Sequence, residues 1–293
     1  MVTVIITTYK REPSMIARAI ESVIHQTYRD FELIIVDDSP AEFSQRKDVE
    51  ITVHGYENRD KNIRVRYIAH EINHGACAAR NTGIKNAEGE YIAFLDDDDE
   101  WLPEKLEKQV ELMMKTGAAL VYCGRICKND DTGDSYEEKV EFNRGSVFHS
   151  LLYQNFIGST SFPLIKSSVL REVGGFDELM QSAQDCDTWL RIAEHHEIDY
   201  LPEPLAVYHI HNGEQITSSP RKKIDGLERI NHKYKQYLES DPSLWYRRHI
   251  VLVPYYAMAG EKNKAINIWL KCVARCPWKI KDHIRYGRGI LRQ

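Results

Sequence analysis

Between residues 2 and 117 short apolar runs alternate with segments of helical periodicity, and this alternation leaves few folds open to the chain. "VTVIITTY" is a β-branched run with the character of a buried strand, and "FELIIVDDS", "IRVRYIAH" and "YIAFLDDDD" repeat the type. "PSMIARAIESVIHQ" puts Ile16, Ala19, Ile20, Val23 and Ile24 on one helical stripe behind Pro13. "GACAARNTGIKNAEG" reads as a helix closed by Gly89, and "LPEKLEKQVELMMKTG" as a helix with Pro103 near its first turn and Gly117 as its stop. Strand and helix in turn predict an α/β fold whose mainly parallel sheet is covered on both faces.

After residue 118 the rhythm loosens. "AALVYCGRICKN" is strand-like, "TSFPLIKSSVLREVGGF" runs from strand to short helix to a Gly-Gly turn, "QDCDTWLRIAEHHE" is helical and "IDYLPEPLAVYHIH" is extended. From about residue 221 every segment has helical character. "GEKNKAINIWLKCVARCP" spaces Gly260, Ala265, Trp269, Cys272 and Pro277 like the second helix of a tetratricopeptide unit, which supports a C-terminal helical hairpin.

Chemistry is expected where strands end, because ligands of a parallel sheet bind at the carboxyl ends of its strands. Two acid clusters fall there: Asp37-Asp38 after "FELIIV", and Asp96 to Asp99 after "YIAFL". Carboxylates are hard oxygen ligands suited to Mg²⁺ or Mn²⁺. A calcium hand would need regularly spaced acids, a central Gly and a distant Glu, and this block has none of that order. Acids crowded at a strand end repel one another unless a cation neutralises them. Asp96 and Asp98 are therefore the metal candidates, while Asp99 and Glu100 suit the start of the next helix. In "SAQDCDTWLR", Asp185 and Asp187 open an apolar helix, where capping and a functional role are equally open readings. His209 and His211 alternate on an extended segment, so one points away from the other.

Charge is unevenly distributed. The chain carries a net charge of −5, yet residues 243–293 hold eleven Lys/Arg against two acids. A basic segment on an acidic body suits an anionic surface, and a solvated helix face is the other reading. The six cysteines show no C-x-x-C pairing, which points to buried reduced thiols. No apolar run approaches the ~18 residues that a membrane span needs. "MVTVIITTYKRE" lacks the features of a signal peptide, so the expected location is cytoplasmic.

"VTVIITTYKRE", "AIESVIHQTYRDFELIIVDDSP", "NHGACAARNTGIKNAEGEYIAFLDDDDEW", "VLREVGGFDE", "QDCDTWLR" and "YHIHNGEQITSS" follow in this order from residue 2 to about residue 219. As an ordered set they resemble the family 2 glycosyltransferases. The resemblance implies a GT-A fold, with a mainly parallel Rossmann-like sheet flanked by helices and a C-terminal all-helical extension. It implies a catalytic domain over 1–220, split into a nucleotide-sugar-binding half (1–117) and an acceptor-side half (118–220), followed by the extension at 221–293. Thr7, Tyr9, Asp37, Asp38, Arg80, Asp96 and Asp97 would bind the nucleotide-sugar, Tyr9 against the base and Asp38 on a uracil-like imino hydrogen. Asp98, with Asp96 and His211, would hold Mn²⁺ or Mg²⁺, and Asp185 would be the general base.

The implied activity is an inverting, metal-dependent, non-processive glycosyltransferase of the hexosyltransferase class. It would move one sugar from a nucleotide-sugar, by resemblance a UDP-sugar, to an acceptor hydroxyl of a lipid-linked or surface-polysaccharide glycan. Departures from the family pattern are Thr7 in place of Pro, Lys10 in place of Asn, and Gln184 in place of the acid before the base. The Q-x-x-R-W signature of processive synthases is absent. Other classes are a non-catalytic nucleotide-sugar-binding protein with the same fold, and a sugar-1-phosphate nucleotidyltransferase, which "TTYKREPS" disfavours because it has no glycine. For residues 243–293 the partners to expect are an anionic membrane surface, at the inner face of the cell membrane, or a second copy. Nucleic acid is not expected.

Overall fold

The computed structural model describes residues 1–57, 59, 63–210 and 219–292. It divides into two compact units. The first comprises Met1–Phe148, Phe156–Glu178 and Thr188–Asn212, and the second His149–Asn155, Leu179–Asp187 and Gly213–Gln293. The expected boundary at residue 220 falls inside the second unit.

In the first unit, β1 (Val2–Thr8), β2 (Phe31–Asp37), β3 (Arg64–Ala69) and β4 (Tyr91–Asp96) run parallel in the spatial order β3-β2-β1-β4. Beyond β4 the sheet becomes mixed. β8 (Leu164–Lys166) is antiparallel to both β4 and β6 (Leu120–Asn129), and β9 (Ile198–Ile210) is parallel to β6. The two-residue β5 (Glu100–Trp101) closes the edge against β9, and β7 (Ser135–Glu137) pairs with β6.

Alternate residues of each strand face opposite layers, so the apolar runs bury on both sides. Val4 and Ile6 of β1 pack with Ile16, Ile20 and Val23 of α1 (Pro13–Ile24) and with Leu106 and Val110 of α4 (Lys105–Thr116). On the other face Ile34 and Val36 meet Ala79 of α3 (Ala76–Asn86). Each such Val, Leu or Ile side chain contributes about 1.5–3 kcal/mol on leaving water. α4 stops at Gly117, whose φ of +71° is the left-handed cap and whose N–H reaches the Met113 carbonyl.

Three local expectations change. A helix, α2 (Arg46–Glu57), stands between β2 and β3, where none was expected. Its segment is rich in β-branched and charged residues, and only Val49, Val53 and Tyr56 bury. Gly89 does not close α3, which ends at Asn86. A Cβ at Gly89 would lie 2.5 Å from the Thr3 amide nitrogen, so the glycine permits close approach of two backbone segments. Asp99 and Glu100 do not begin α4. Asp99 is fully buried before β5, Glu100 lies in β5, and the helix starts at Lys105.

The second unit is helical around α8 (Pro220–Lys233), α9 (Lys235–Ser240), α10 (Pro242–Ile250), α11 (Leu252–Met258), α12 (Lys262–Arg275) and α13 (Ile280–Arg292). Ile224, Ile250, Val253, Tyr256, Ala265 and Cys272 form its core. Gly260 turns α11 into α12, giving the expected hairpin. All six cysteines are buried free thiols. Among the described residues no helix is long and apolar enough to cross a membrane.

Candidate active site

Register brings the sequence-selected residues of the first unit together. β1 lies between β2 and β4, with Thr7 opposite both Val36 and Asp96, and Thr8 opposite Asp37. The carboxyl ends of three adjacent strands therefore carry Thr7 and Tyr9, Asp37 and Asp38, and the acid block from Asp96. Tyr9 is 41% exposed, and beside it Lys10 adopts φ +51°, a left-handed conformation that costs a non-glycine residue about 1 kcal/mol or more. Its amide is held by Ser39 Oγ at 2.8 Å, and the chain then delivers Arg11 to the acids.

Asp37 is structural in its contacts. One oxygen accepts the Ser39 amide at 2.8 Å and the other the Tyr67 hydroxyl at 2.6 Å. Asp38 accepts the amides of His74 (2.8 Å) and Gly75 (2.7 Å), and His70 Nδ1 lies 2.7 Å from it. A carboxylate offers about four acceptor positions, so three partners leave it one more.

Each member of the acid block has its own surroundings. Asp96 takes Arg80 Nη2 at 2.9 Å, Ser159 Oγ at 2.9 Å and Thr160 Oγ1 at 3.0 Å. Burial pushes the Asp96 acid up, but the Arg80 charge and these hydrogen bonds outweigh it and hold the group below the usual carboxylate range. Asp97 receives Arg11 Nε at 3.0 Å, and Asp98 receives Arg11 Nη2 at 2.9 Å. Burial is the main cause that pushes Asp97 up to about 7, with the Asp98 charge adding to it and Arg11 opposing it. Asp99 accepts Ser161 Oγ at 2.6 Å and the His209 amide, and burial followed by the charges of Asp96 and Asp98 raises it well above its ordinary value.

Behind the block lies a second polar layer. The fully buried His209 ring sits between Asp130 (2.6 Å) and Glu100 (2.7 Å). Arg18 donates to the Asp98 carbonyl at 2.7 Å and approaches both of those acids. His211, expected on the metal side, lies outside the described residues. Asp96 and Asp98 offer the carboxylate oxygens a hard divalent cation takes, but among the described residues no three His, Cys, Asp or Glu side chains are gathered as a metal site, and the Arg11 guanidinium supplies the positive charge at Asp98.

Asp185, the expected base, belongs to the second unit, in the first turn of α7 (Gln184–Ala193). Asn155 Nδ2 donates to its carboxylate at 3.1 Å. The neighbouring residues grip the helices of that unit. Asp187 is buried against Lys233 Nζ at 2.6 Å, and Gly226 lets α8 approach so closely that a Cβ there would lie 2.4 Å from the Ser182 carbonyl oxygen. Asp187 is thus a structural anchor.

Sequence reading missed Arg11, Arg18, His70, Asn155 and the Ser159–Thr160–Ser161 run. Arg11 carried a signal, since it lies three residues past the end of the first strand. The others act across 30 or more residues, as in Ser159 to Asp96, and have no local pattern to find.

Comparison with known proteins gives this geometry a context. Residues 3–174 match the family model described as Glycosyl transferase family 2. WcaA of Escherichia coli (strain K12), named as a colanic acid biosynthesis glycosyl transferase, is 33% identical over 246 residues, covering 80% of this chain and 81% of that protein. WfgD of Escherichia coli, named as a UDP-Glc:alpha-D-GlcNAc-diphosphoundecaprenol beta-1,3-glucosyltransferase, is 35% identical over 122 residues, 42% of this chain and 44% of the relative. The crystal structure of S. aureus TarS 1–349 in complex with UDP-GlcNAc superposes with a TM-score of 0.62 at 19% identity, covering 87% of this chain and 81% of that one, which shows a shared GT-A fold. With a family match across more than half its length and a relative one-third identical over four-fifths of it, the chain belongs to glycosyl transferase family 2 and is a glycosyltransferase.

Proposed function

We propose that the chain transfers a single hexose, with inversion, from a uridine diphosphate sugar to a hydroxyl of a lipid-linked glycan in surface-polysaccharide assembly. The observation that carries this reading is the convergence of Asp38, Asp96 and Asp98 with Arg11 and Arg80 at the carboxyl ends of adjacent strands. It combines an acceptor suited to a base with cations suited to a diphosphate. The names of WcaA and WfgD support the pathway and the lipid-diphosphate acceptor, and the TarS complex supports a uridine nucleotide.

In this mechanism Tyr9 stacks on the base, and Asp38 uses its remaining acceptor position for the imino hydrogen, with Asp37 and Tyr67 bracing the turn. Arg80 and Arg11 face the diphosphate and offset its charge. Asp96 and Asp98 would hold Mn²⁺ or Mg²⁺, which supplies positive charge to the leaving diphosphate. Asp185 takes the acceptor's hydroxyl proton as that oxygen forms its bond to the anomeric carbon and the bond from that carbon to the diphosphate oxygen breaks. A single displacement of this kind inverts the anomeric centre and needs no covalent nucleophile.

The test is a thermal-shift screen of nucleotide-sugars with Mn²⁺, followed by transfer assays of Asp185→Asn and Asp98→Asn with the donor so identified. Asp185→Asn should bind the donor as the parent does yet lose transfer by about 10²-fold or more. Asp98→Asn should lose the Mn²⁺-dependent part of the shift. Full transfer by Asp185→Asn would remove that residue from the mechanism.

A further inference from the structure

The second unit carries a concave site that sugar transfer does not use. Tyr246 and Arg247 of α10, Lys279 before α13, and Asp282, Arg285 and Tyr286 of α13 line a cavity of about 120 Å³. A single water needs only ~10–15 Å³ of such space, so the cavity has room for a phosphate or diphosphate.

Its cations are spare. The other ion pairs described in this unit use different residues: Arg221 with Asp225 and Glu261, Lys233 with Asp187, Lys235 with Glu239, and Lys264 with Glu261. Arg247, Lys279 and Arg285 have no carboxylate within ion-pairing distance among the described residues. Asp282 is the one acid in the lining, so three positive charges meet one negative charge in a walled space. Such a wall focuses potential and favours an anion. The Tyr246 hydroxyl lies 3.4 Å from His283 Nδ1, whose Nε2 faces the Cys276 carbonyl, so the cations and not the phenol supply the donors. Two guanidinium groups and an ammonium match the planar and point-charge modes by which phosphate oxygens are held.

We propose that this cavity binds a phosphate or diphosphate group. The residues involved are separate from those expected to hold the donor. Free phosphates and a phosphorylated lipid headgroup share this chemistry.

Binding of inorganic pyrophosphate by calorimetry, with no sugar donor present, tests the site without reference to turnover. The parent is compared with Arg247→Gln/Lys279→Gln/Arg285→Gln, and with Lys262→Gln/Lys271→Gln/Lys281→Gln, which removes the same charge from exposed positions outside the cavity. The cavity triple should bind roughly 30-fold more weakly or worse, and the control triple should stay within about twofold of the parent, since lost charge-assisted hydrogen bonds act locally. Equal affinity in parent and cavity triple overturns the proposal, as does equal weakening in both triples. Co-sedimentation with phosphatidylglycerol and phosphatidylcholine vesicles then separates the sources. Loss of phosphatidylglycerol binding in the cavity triple alone assigns a lipid headgroup, and unchanged vesicle behaviour beside lost pyrophosphate binding assigns a soluble phosphate. Circular dichroism melts of both triples identify any loss that comes from unfolding, and Arg285→Lys, which keeps the charge, should retain most of the pyrophosphate affinity if the fold is intact.

Discussion

Lys105, at the first turn of α4, allows a quantitative test of the floor beneath the acid block. The side chain is fully buried, its ammonium lies 4.0 Å over the Trp101 ring, and it donates to Gln109 Oε1 at 2.8 Å. Trp101 in turn donates to the carbonyl of Ser161, whose hydroxyl holds Asp99. Burial lowers the amine from 10.5 to about 8. Below pH 8 folded and unfolded chains both carry the proton, and burying the cation costs the fold about 3 kcal/mol at ~1.4 kcal/mol per pH unit. Between the two values the unfolded chain binds more protons, so this cost falls as pH rises. Lys105→Met keeps the stem and removes the titration. Its own effect near neutrality is small, because the relieved burial is offset by a lost cation–π contact and an unpaired Gln109 oxygen. The informative quantity is the gap between parent and variant in urea unfolding. From about pH 7.5 to about pH 9.5 that gap should move by about 2 kcal/mol in favour of the parent. Parallel curves across this range would refute the reasoning, because they would mean that the buried amine keeps its ordinary proton affinity.

Three further outcomes follow from the geometry. Arg11→Gln leaves Asp97 and Asp98 without their shared cation and should lower metal-free stability by about 1–3 kcal/mol, with Mn²⁺ recovering most of it; a melt that Mn²⁺ does not raise would contradict this. Gly89→Ala forces a Cβ to 2.5 Å from the Thr3 amide and should destabilise by about 2–3 kcal/mol, read from the urea midpoint. Lys233→Met removes the cation 2.6 Å from the buried Asp187 carboxylate and should cost about 2–4 kcal/mol, while adding Asp187→Leu should restore most of it; a double variant as unstable as the single one would count against a buried pair.

Much of the first unit was legible because the relevant physics is local. Apolar β-branched runs and one helical stripe named β1, β2, β3, β4, α1 and α4, and Gly117 stopped its helix as expected. α2 was not legible, since only three of its residues reach the core and its composition disfavours a helix. Gly89 looked like a cap because its real constraint, the backbone of Thr3, is 86 residues away.

The acid block shows the division most directly. Sequence by itself determined that carboxylates gather where strands end, and the ordered motifs pointed to sugar transfer. Only tertiary structure decided what each acid does, because burial and partners come from distant segments. Arg80 and Ser159 hold Asp96 as the low-lying carboxylate, Arg11 spans Asp97 and Asp98, and Ser161 with the His209 amide buries Asp99. Five adjacent acids of similar intrinsic proton affinity are separated by desolvation and by charges that the fold brings from both sides of the sequence.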